Sequence, residues 1–421
     1  MSLSPRETLL RLFDKAVEVA DPTRSLADYL PEKPRGRCVV IGAGKASARM
    51  AEAVEAVWGP CEGVVITRYG YARPCQYIEI AEAAHPVPDA AGLEHTQRLL
   101  ARLEGLTEDD FVLALISGGA SALLTAPAGQ ITLAEKQAVN EALLASGAPI
   151  GQMNIVRKHL SCVKGGQLAA AAWPAKLLCL MISDVPGDDP ALIGSGPTVG
   201  DNSTGEDALS IIRQWSIDVP RSVARVLSKK TGVLGTDDPR LSNVTNTVFA
   251  APSQSLASAA DLGIELGLQP EVLGDAIEGE AREIAEQHAH LAILRQKNLK
   301  ANNSPLLLLS GGELTVTRLG NGVGGPNAEY ALALALALNG QVGIHAIACD
   351  TDGVDGAADV AGAVIDPSTL ARAHQIGLDA TAYLARNDAH SFFEKLGDQV
   401  VPGPTLTNVN DFRALLIYPE T

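Results

Sequence analysis

Seven short stretches of this chain are apolar at almost every position, and each runs into a turn rich in small or polar residues. They are Cys38–Ile41, Val64–Thr67, Phe111–Ile116, Leu177–Ile182, Thr247–Ala250, Leu306–Leu309 and Ile344–Cys349. A strand with one wet face alternates apolar and polar residues, whereas one apolar throughout is covered on both faces. Stretches with helical patterning lie between them: Ala46–Val57, Ala91–Leu103, Leu133–Ser146, Leu256–Leu266, Gly279–Ala301 and Asn327–Leu338. Strand–helix alternation of this kind predicts a doubly wound α/β protein with a mostly parallel sheet. In such sheets ligands bind beyond the carboxyl ends of the strands, so the residues just after each run are the functional candidates.

At 421 residues the chain exceeds what one core organises. The rhythm fails between residues 216 and 243, which places a boundary near 240 and divides the chain into domains 1–240 and 241–421. The last strand-like piece, Ala414–Tyr418, suits either sheet. A net charge of −16 argues against a nucleic-acid partner. It also makes local positive charge informative, and Lys45, Arg157, Lys158 and Lys164 supply it. Six scattered cysteines without a Cys-x-x-Cys pair suggest neither a disulfide framework nor zinc. The segment from Met1 to Glu7 carries acid and no apolar stretch, as a signal peptide would require. No segment has membrane-spanning character. A cytoplasmic protein is expected, and a homodimer is left open.

The first run opens Gly42-Ala43-Gly44-Lys45-Ala46-Ser47. Glycines here let backbone approach an anion, and the following helix aims its amides at it. A P-loop would need glycine in place of Val39 and a hydroxyl residue in place of Ala46. A dinucleotide fingerprint would need a third glycine where Ser47 stands, and an acid where Arg68-Tyr69 follow the second strand. Arg68 could meet the 2′-phosphate of NADP, so an oxidoreductase stays open, as does a plain turn with an exposed lysine. The loop His85-Pro86-Val87-Pro88-Asp89 is stiffened by two prolines. Ser117-Gly118-Gly119-Ala120-Ser121 forms a cradle suited to carboxylate or phosphate. In Gln152–Ser161, a helix would place Arg157 with Ser161 and Asn154 with Lys158, facing either solvent or an anion.

Two acidic turns follow strands: Ser183-Asp184-Val185-Pro186-Gly187-Asp188-Asp189 and Asp350-Thr351-Asp352-Gly353-Val354-Asp355. Such turns suit Mg²⁺, with Asp184, Asp188, Asp350 and Asp352 as candidate ligands. A calcium loop is disfavoured because no glutamate closes it. Gly311-Gly312-Glu313 and the loop from Gly320 to Asn327, including Gly324 and Gly325, offer backbone for a triphosphate. Phosphoryl transfer needs positioned positive charge, Mg²⁺ and an orienting group, and these turns contain those parts.

Together these segments resemble the glycerate 2-kinase family, whose C-terminal half is the MOFRL domain and whose bacterial members often carry the hydroxypyruvate reductase label. The resemblance rests on Gly44-Lys45-Ala46-Ser47, His85–Asp89, Ile116–Leu124, Asn154–Gly166, Ser183–Thr198, Leu309–Glu313, Gly324–Glu329, Cys349–Gly356 and Gly403–Asp411. It implies two three-layer α/β/α domains flanking a cleft, the first Rossmann-like and mostly parallel, the second with a smaller mixed sheet. It also implies transfer from ATP to the 2-hydroxyl of D-glycerate with Mg²⁺, giving 2-phosphoglycerate. Lys45 and Asp184 are the expected catalytic residues. Ser47, Ser117, Gly118, Gly119, Ser121 and Arg157 are expected to bind glycerate, and Gly42, Gly44, Gly311, Gly312, Glu313, Gly324, Gly325 and Asn327 the nucleotide. Three positions depart from the family pattern: Pro326 replaces an arginine, and Ala120 and Leu406 replace glycines. An NAD(P)H-dependent hydroxypyruvate reductase of tartrate or glyoxylate metabolism and a non-catalytic small-acid binding protein are the alternatives.

Overall fold

The structure is a computed structural model that describes residues 3–356 and 358–420. The chain forms two compact units. Pro22–Phe249 is one; Met1–Asp21 joins Ala250–Thr421 in the other.

The sheet of the first unit has six strands: β1 (Cys38–Ala43), β2 (Glu62–Arg68), β3 (Ile78–Ala83), β4 (Phe111–Ile116), β5 (Lys176–Ile182) and β6 (Val244–Ala250). Their order is β3-β2-β1-β4-β5-β6, with every pair from β3 to β5 parallel. This Rossmann order gives the mostly parallel, doubly wound sheet expected from the all-apolar runs. The chain winds outward from β1 one way and from β4 the other, so the turns after these strands flank the switch point, where such sheets open to ligands. Val39, Ile41, Val64, Val112, Ala114 and Cys179 fill a core with no exposed surface. A separate cluster of Val139, Leu143, Val156, Leu160, Ile211 and Leu227 joins helices Leu133–Ser146, Ile150–His159, Gly205–Gln214 and Arg221–Leu227. The first of these starts with a capping box, in which Thr132 accepts from the Glu135 amide and Glu135 returns a bond to the Thr132 amide.

The second unit carries β7 (Gln269–Gly274), β9 (Leu306–Ser310), β11 (Ile344–Asp350), β12 (Gly362–Ile365), β13 (Gln399–Val400) and β14 (Asp411–Ile417), in the order β13-β12-β11-β14-β9-β7. The short β8 (Gly279–Glu280) and β10 (Leu314–Thr315) pair separately. β7 and β9 are parallel, and the remaining ladders of the main sheet are antiparallel. The smaller mixed sheet is therefore as expected, and the final strand lies near its middle.

The 1–240 and 241–421 division needs correction at both ends. β6 belongs to the first sheet, where the Leu177 amide of β5 bonds to the Asn243 carbonyl at 3.0 Å beside it. The N-terminal helix Pro5–Ala20 packs on the second unit: Leu9, Leu12, Phe13 and Ala16 are buried with Leu256, Ala259, Phe412 and Leu416. Burying each large side chain is worth about 1.5–3 kcal/mol, and that sum decides where the helix goes. No helix among the described residues is long and apolar enough to cross a membrane.

Candidate functional site

The turns after β1 and β4 are fastened together at the switch point. The Lys45 amide bonds to the Gly118 carbonyl at 2.8 Å, and the Ser117 amide to the Ala43 carbonyl at 3.2 Å. Ser117 Oγ accepts from the Ala46 amide at 3.0 Å and lies 3.1 Å from Ser47 Oγ, which itself donates to the Leu115 carbonyl at 2.9 Å. Both serines are fully buried. Their expected contact with substrate is thus replaced by a structural one: the hydroxyls satisfy backbone that no water reaches. Gly44 has φ +144°, and a Cβ there would run into Ser117, so only glycine lets the turns close. Gly42 sits inside β1 against Leu115.

Gly119 brings the site together. At φ +82° it stands so that a Cβ would lie 3.0 Å from the His85 ring and 3.3 Å from Lys45 Cγ. Lys45, His85 and Gly119 therefore meet at one point, although they come from three turns. The His85 loop is held by Asp89, which caps the next helix through the Gly92 amide, and by Gln137, whose Nε2 donates to the Pro88 carbonyl at 2.6 Å.

Beside this point lies a cavity of about 260 Å³. His85, Gly119 and Ser121 border it, and Lys136, Arg157 and Lys164 enter its wall; among the described residues no carboxylate does. Arg157 is held by neutral oxygens only, Nε to Asn140 Oδ1 at 2.8 Å and a terminal nitrogen to Asn154 Oδ1 at 3.3 Å. Lys164 is buried and donates to Ser121 Oγ at 3.1 Å and the Gly194 carbonyl at 2.8 Å. Burial holds Lys164 well below the usual lysine range, and the neighbouring Lys136, Arg157 and Lys158 push the same way. Lys136 is pushed down to about 8, mainly by burial. Three uncompensated basic groups in an acidic protein make an anion site. Lys158 faces elsewhere, paired with Asp201 at 2.6 Å. The sequence expectation does not include Lys136; its signal there is that Lys136, Val139, Asn140 and Leu143 share one helix face, a cation and an amide set into an apolar stripe.

Asp184 and Asp188 follow β5. Asp188 has φ +53° and a buried Oδ1 with no hydrogen-bond partner. Asp350 and Asp352 belong to the other unit, where each accepts a nearby amide at 2.8 Å, from Asp352 and Val354 respectively. Among the described residues no three acidic, histidine or cysteine side chains form a metal cluster. In the second unit, Gly311 and Gly312 pass closely beneath Asp275 and Ile277, and Glu313 is exposed.

The helix start expected to hold phosphate at Gly324, Gly325 and Asn327 is filled by the chain itself. Asp355 accepts the Asn327 amide on Oδ1 at 3.0 Å and the Ala328 amide on Oδ2 at 2.9 Å, and His390 Nε2 stands 3.0 Å from that same Oδ2. Gly325 permits this approach, since a Cβ would strike Asp355. Asn327 is buried and donates to Asp411 at 2.6 Å, and Asp411 pairs with the fully buried Arg413 at 2.9 Å. Burial raises the Asp411 carboxyl although Arg413 opposes it.

Residues 8–228 match a domain of unknown function, DUF4147, and residues 306–411 match the MOFRL family. A D-glycerate 2-kinase from Thermotoga maritima is 38% identical over 97% of this chain and 97% of its own. The chain belongs to the glycerate 2-kinase family. A glycerate kinase structure from the same organism superposes with a TM-score of 0.89 at 38% identity, covering 98% of this chain and 99% of that one. An Agrobacterium vitis relative, provisionally named a hydroxypyruvate reductase, is 52% identical over 99% of this chain and 95% of its own.

Within this glycerate 2-kinase fold, the departures have local explanations. Pro326 is the first residue of its helix, where a missing amide costs nothing and Asp355 caps the amides that follow. Leu406 stands at φ +63°, in the left-handed region that favours glycine. Ala120 is fully buried against Gly194.

Proposed function

We propose that this chain transfers the γ-phosphoryl group of ATP to the 2-hydroxyl of D-glycerate, giving 2-phosphoglycerate and ADP. The observation that carries this reading is the meeting of Lys45, His85 and Gly119 beside a carboxylate-free basic cavity. Transfer spreads negative charge over the moving phosphoryl group, and a fixed ammonium is worth most where charge develops. Lys45 has that place, on a turn whose amides are already bonded. The cavity beside it supplies the charge that a small carboxylate needs, and His85 stands at its rim to orient the acceptor hydroxyl. Asp184 and Asp188 would hold Mg²⁺, whose charge neutralises phosphate oxygens; the partnerless buried oxygen of Asp188 fits a cation.

A reductase reading has less support. Ser47, with its hydroxyl buried, stands where the dinucleotide fingerprint needs glycine, and Arg68 lies over the Tyr71 ring at 4.8 Å. One experiment separates the two readings. The protein with D-glycerate, ATP and Mg²⁺ should release ADP; with hydroxypyruvate it should leave NADH and NADPH unoxidised. Lys45→Ala should lower turnover by about 100-fold or more with an unchanged circular dichroism spectrum. Nicotinamide oxidation without ADP release would overturn the proposal.

A further inference from the structure

The basic cavity has a second character that glycerate alone leaves unused. Besides the basic groups and the polar His85, Ser121 and Asn140, its lining consists largely of apolar side chains, among them Val139, Leu143, Leu144, Leu160 and Ala122. None of these side chains offers a polar partner, whereas C3 of glycerate carries a hydroxyl. Enclosing that hydroxyl against an apolar wall forfeits its hydrogen bonds with water. An acid with an aliphatic group at C3 would bury it there with gain. Basic and apolar lining meet on one helix face, where Lys136 and Asn140 alternate with Val139 and Leu143 along Leu133–Ser146.

We propose that this cavity seats the acceptor carboxylate on Lys136, Arg157 and Lys164 and its C3 substituent on Val139, Leu143 and Leu160, so that the protein also phosphorylates 2-hydroxy acids with aliphatic side chains. The proposal rests on the kinase reading. In the step, the 2-hydroxyl oxygen bonds to the γ-phosphorus while the bond from that phosphorus to the bridging oxygen of ADP breaks. ADP leaves with the electron pair, and the hydroxyl proton passes to solvent.

The test begins with calorimetric titration of the full chain, without nucleotide, using D-glycerate and D-2-hydroxy-4-methylpentanoate. The branched acid should bind at least as tightly as glycerate, and with ATP and Mg²⁺ it should yield a phosphorylated product by ³¹P NMR. Lys136→Met and Arg157→Gln should each weaken both acids by about tenfold, while Lys136→Arg should retain binding. Ala122→Leu, which narrows the apolar side, should shift preference from the branched acid toward glycerate by about tenfold. Absence of saturable binding of the branched acid overturns the proposal, as does binding that neither Lys136→Met nor Arg157→Gln weakens. The two readings fail differently. Glycerate-dependent ADP release with KM unchanged in both variants removes the cavity and keeps the kinase. Variant-sensitive binding without any ADP release removes the kinase reading and leaves the cavity as a carboxylate site.

Discussion

Ser47 and Ser117 place their hydroxyl oxygens 3.1 Å apart at the base of the switch point, both fully buried. Each comes from a different strand–turn, so this contact sets the separation of β1 from β4 just where Lys45 leaves the sheet. Ser117→Ala would leave the Ala46 amide without its acceptor and the Ser47 hydroxyl with one partner fewer. A buried donor stripped of its acceptor costs about 1–3 kcal/mol. Urea denaturation should show a loss in that range, and turnover should fall because Lys45 immediately precedes the two loosened residues, Ala46 and Ser47. Unchanged stability would mean that water or a shifted turn satisfies the amide.

Much of this site could be read from residue order, because its parts follow directly from all-apolar strands. β1 and β4, the glycine turn and the Ser-Gly-Gly turn are local patterns, and the parallel sheet follows from strands apolar on both faces. What residue order did not disclose depends on distant partners. The helix Pro5–Ala20 is amphipathic by itself, yet nothing in it says that Phe412 will receive Phe13, with ring centroids 6.0 Å apart. The start of helix Pro326–Leu338 reads as an anion site because its glycines permit close approach; the anion is Asp355, part of an acidic turn whose composition suits Mg²⁺. Serine hydroxyls in the cradles looked available for ligand for the same reason. Whether such a group meets substrate or its own backbone is decided by burial.

Asp355 gives the second prediction. It accepts the amides of Asn327 and Ala328 and faces His390, all within buried surroundings. Asp355→Ala uncaps the helix and strands two amides, which should cost about 3 kcal/mol or more. Asp355→Asn retains one accepting oxygen and should recover part of that loss. Equilibrium unfolding of the three proteins measures both. Equal stability of the wild-type and alanine proteins would show that the cap contributes nothing.

Leu406 occupies the left-handed region, which costs an ordinary L residue about 1–2 kcal/mol. Leu406→Gly relieves this strain but gives the unfolded chain more freedom, which offsets about 0.4–1 kcal/mol. The variant should therefore be more stable by up to about 1.6 kcal/mol, seen as a raised midpoint of thermal unfolding. A lowered midpoint would show that packing of the half-buried leucine outweighs the strain.

Lys136 links pH to both affinity and stability, in opposite senses. Burial lowers its ammonium to about 8; Arg157 adds to the shift and Cys162 opposes it. Lys164, on the same wall, is held well below its ordinary range. Below pH 8 Lys136 is charged and can attract the acceptor carboxylate, so kcat/KM for glycerate should decline along an alkaline limb near pH 8. Lys136→Arg, charged throughout, should move that limb upward, and a limb unmoved in this variant would exclude Lys136 as its source. For stability the sign reverses. Its folded pKa lies below the unfolded 10.5, so the cost of burying the charge is fully present below pH 8. Between 8 and 10.5 the unfolded chain binds more protons, and this group's contribution to stability rises with pH. Lys136→Met should then raise the thermal midpoint at pH 7 while weakening acceptor binding, the exchange of stability for function expected at a binding site. Calorimetric unfolding of wild type and Lys136→Met at pH 7 and pH 10 checks this: the gap between them should narrow at the higher pH, and a constant gap would assign the effect to packing alone.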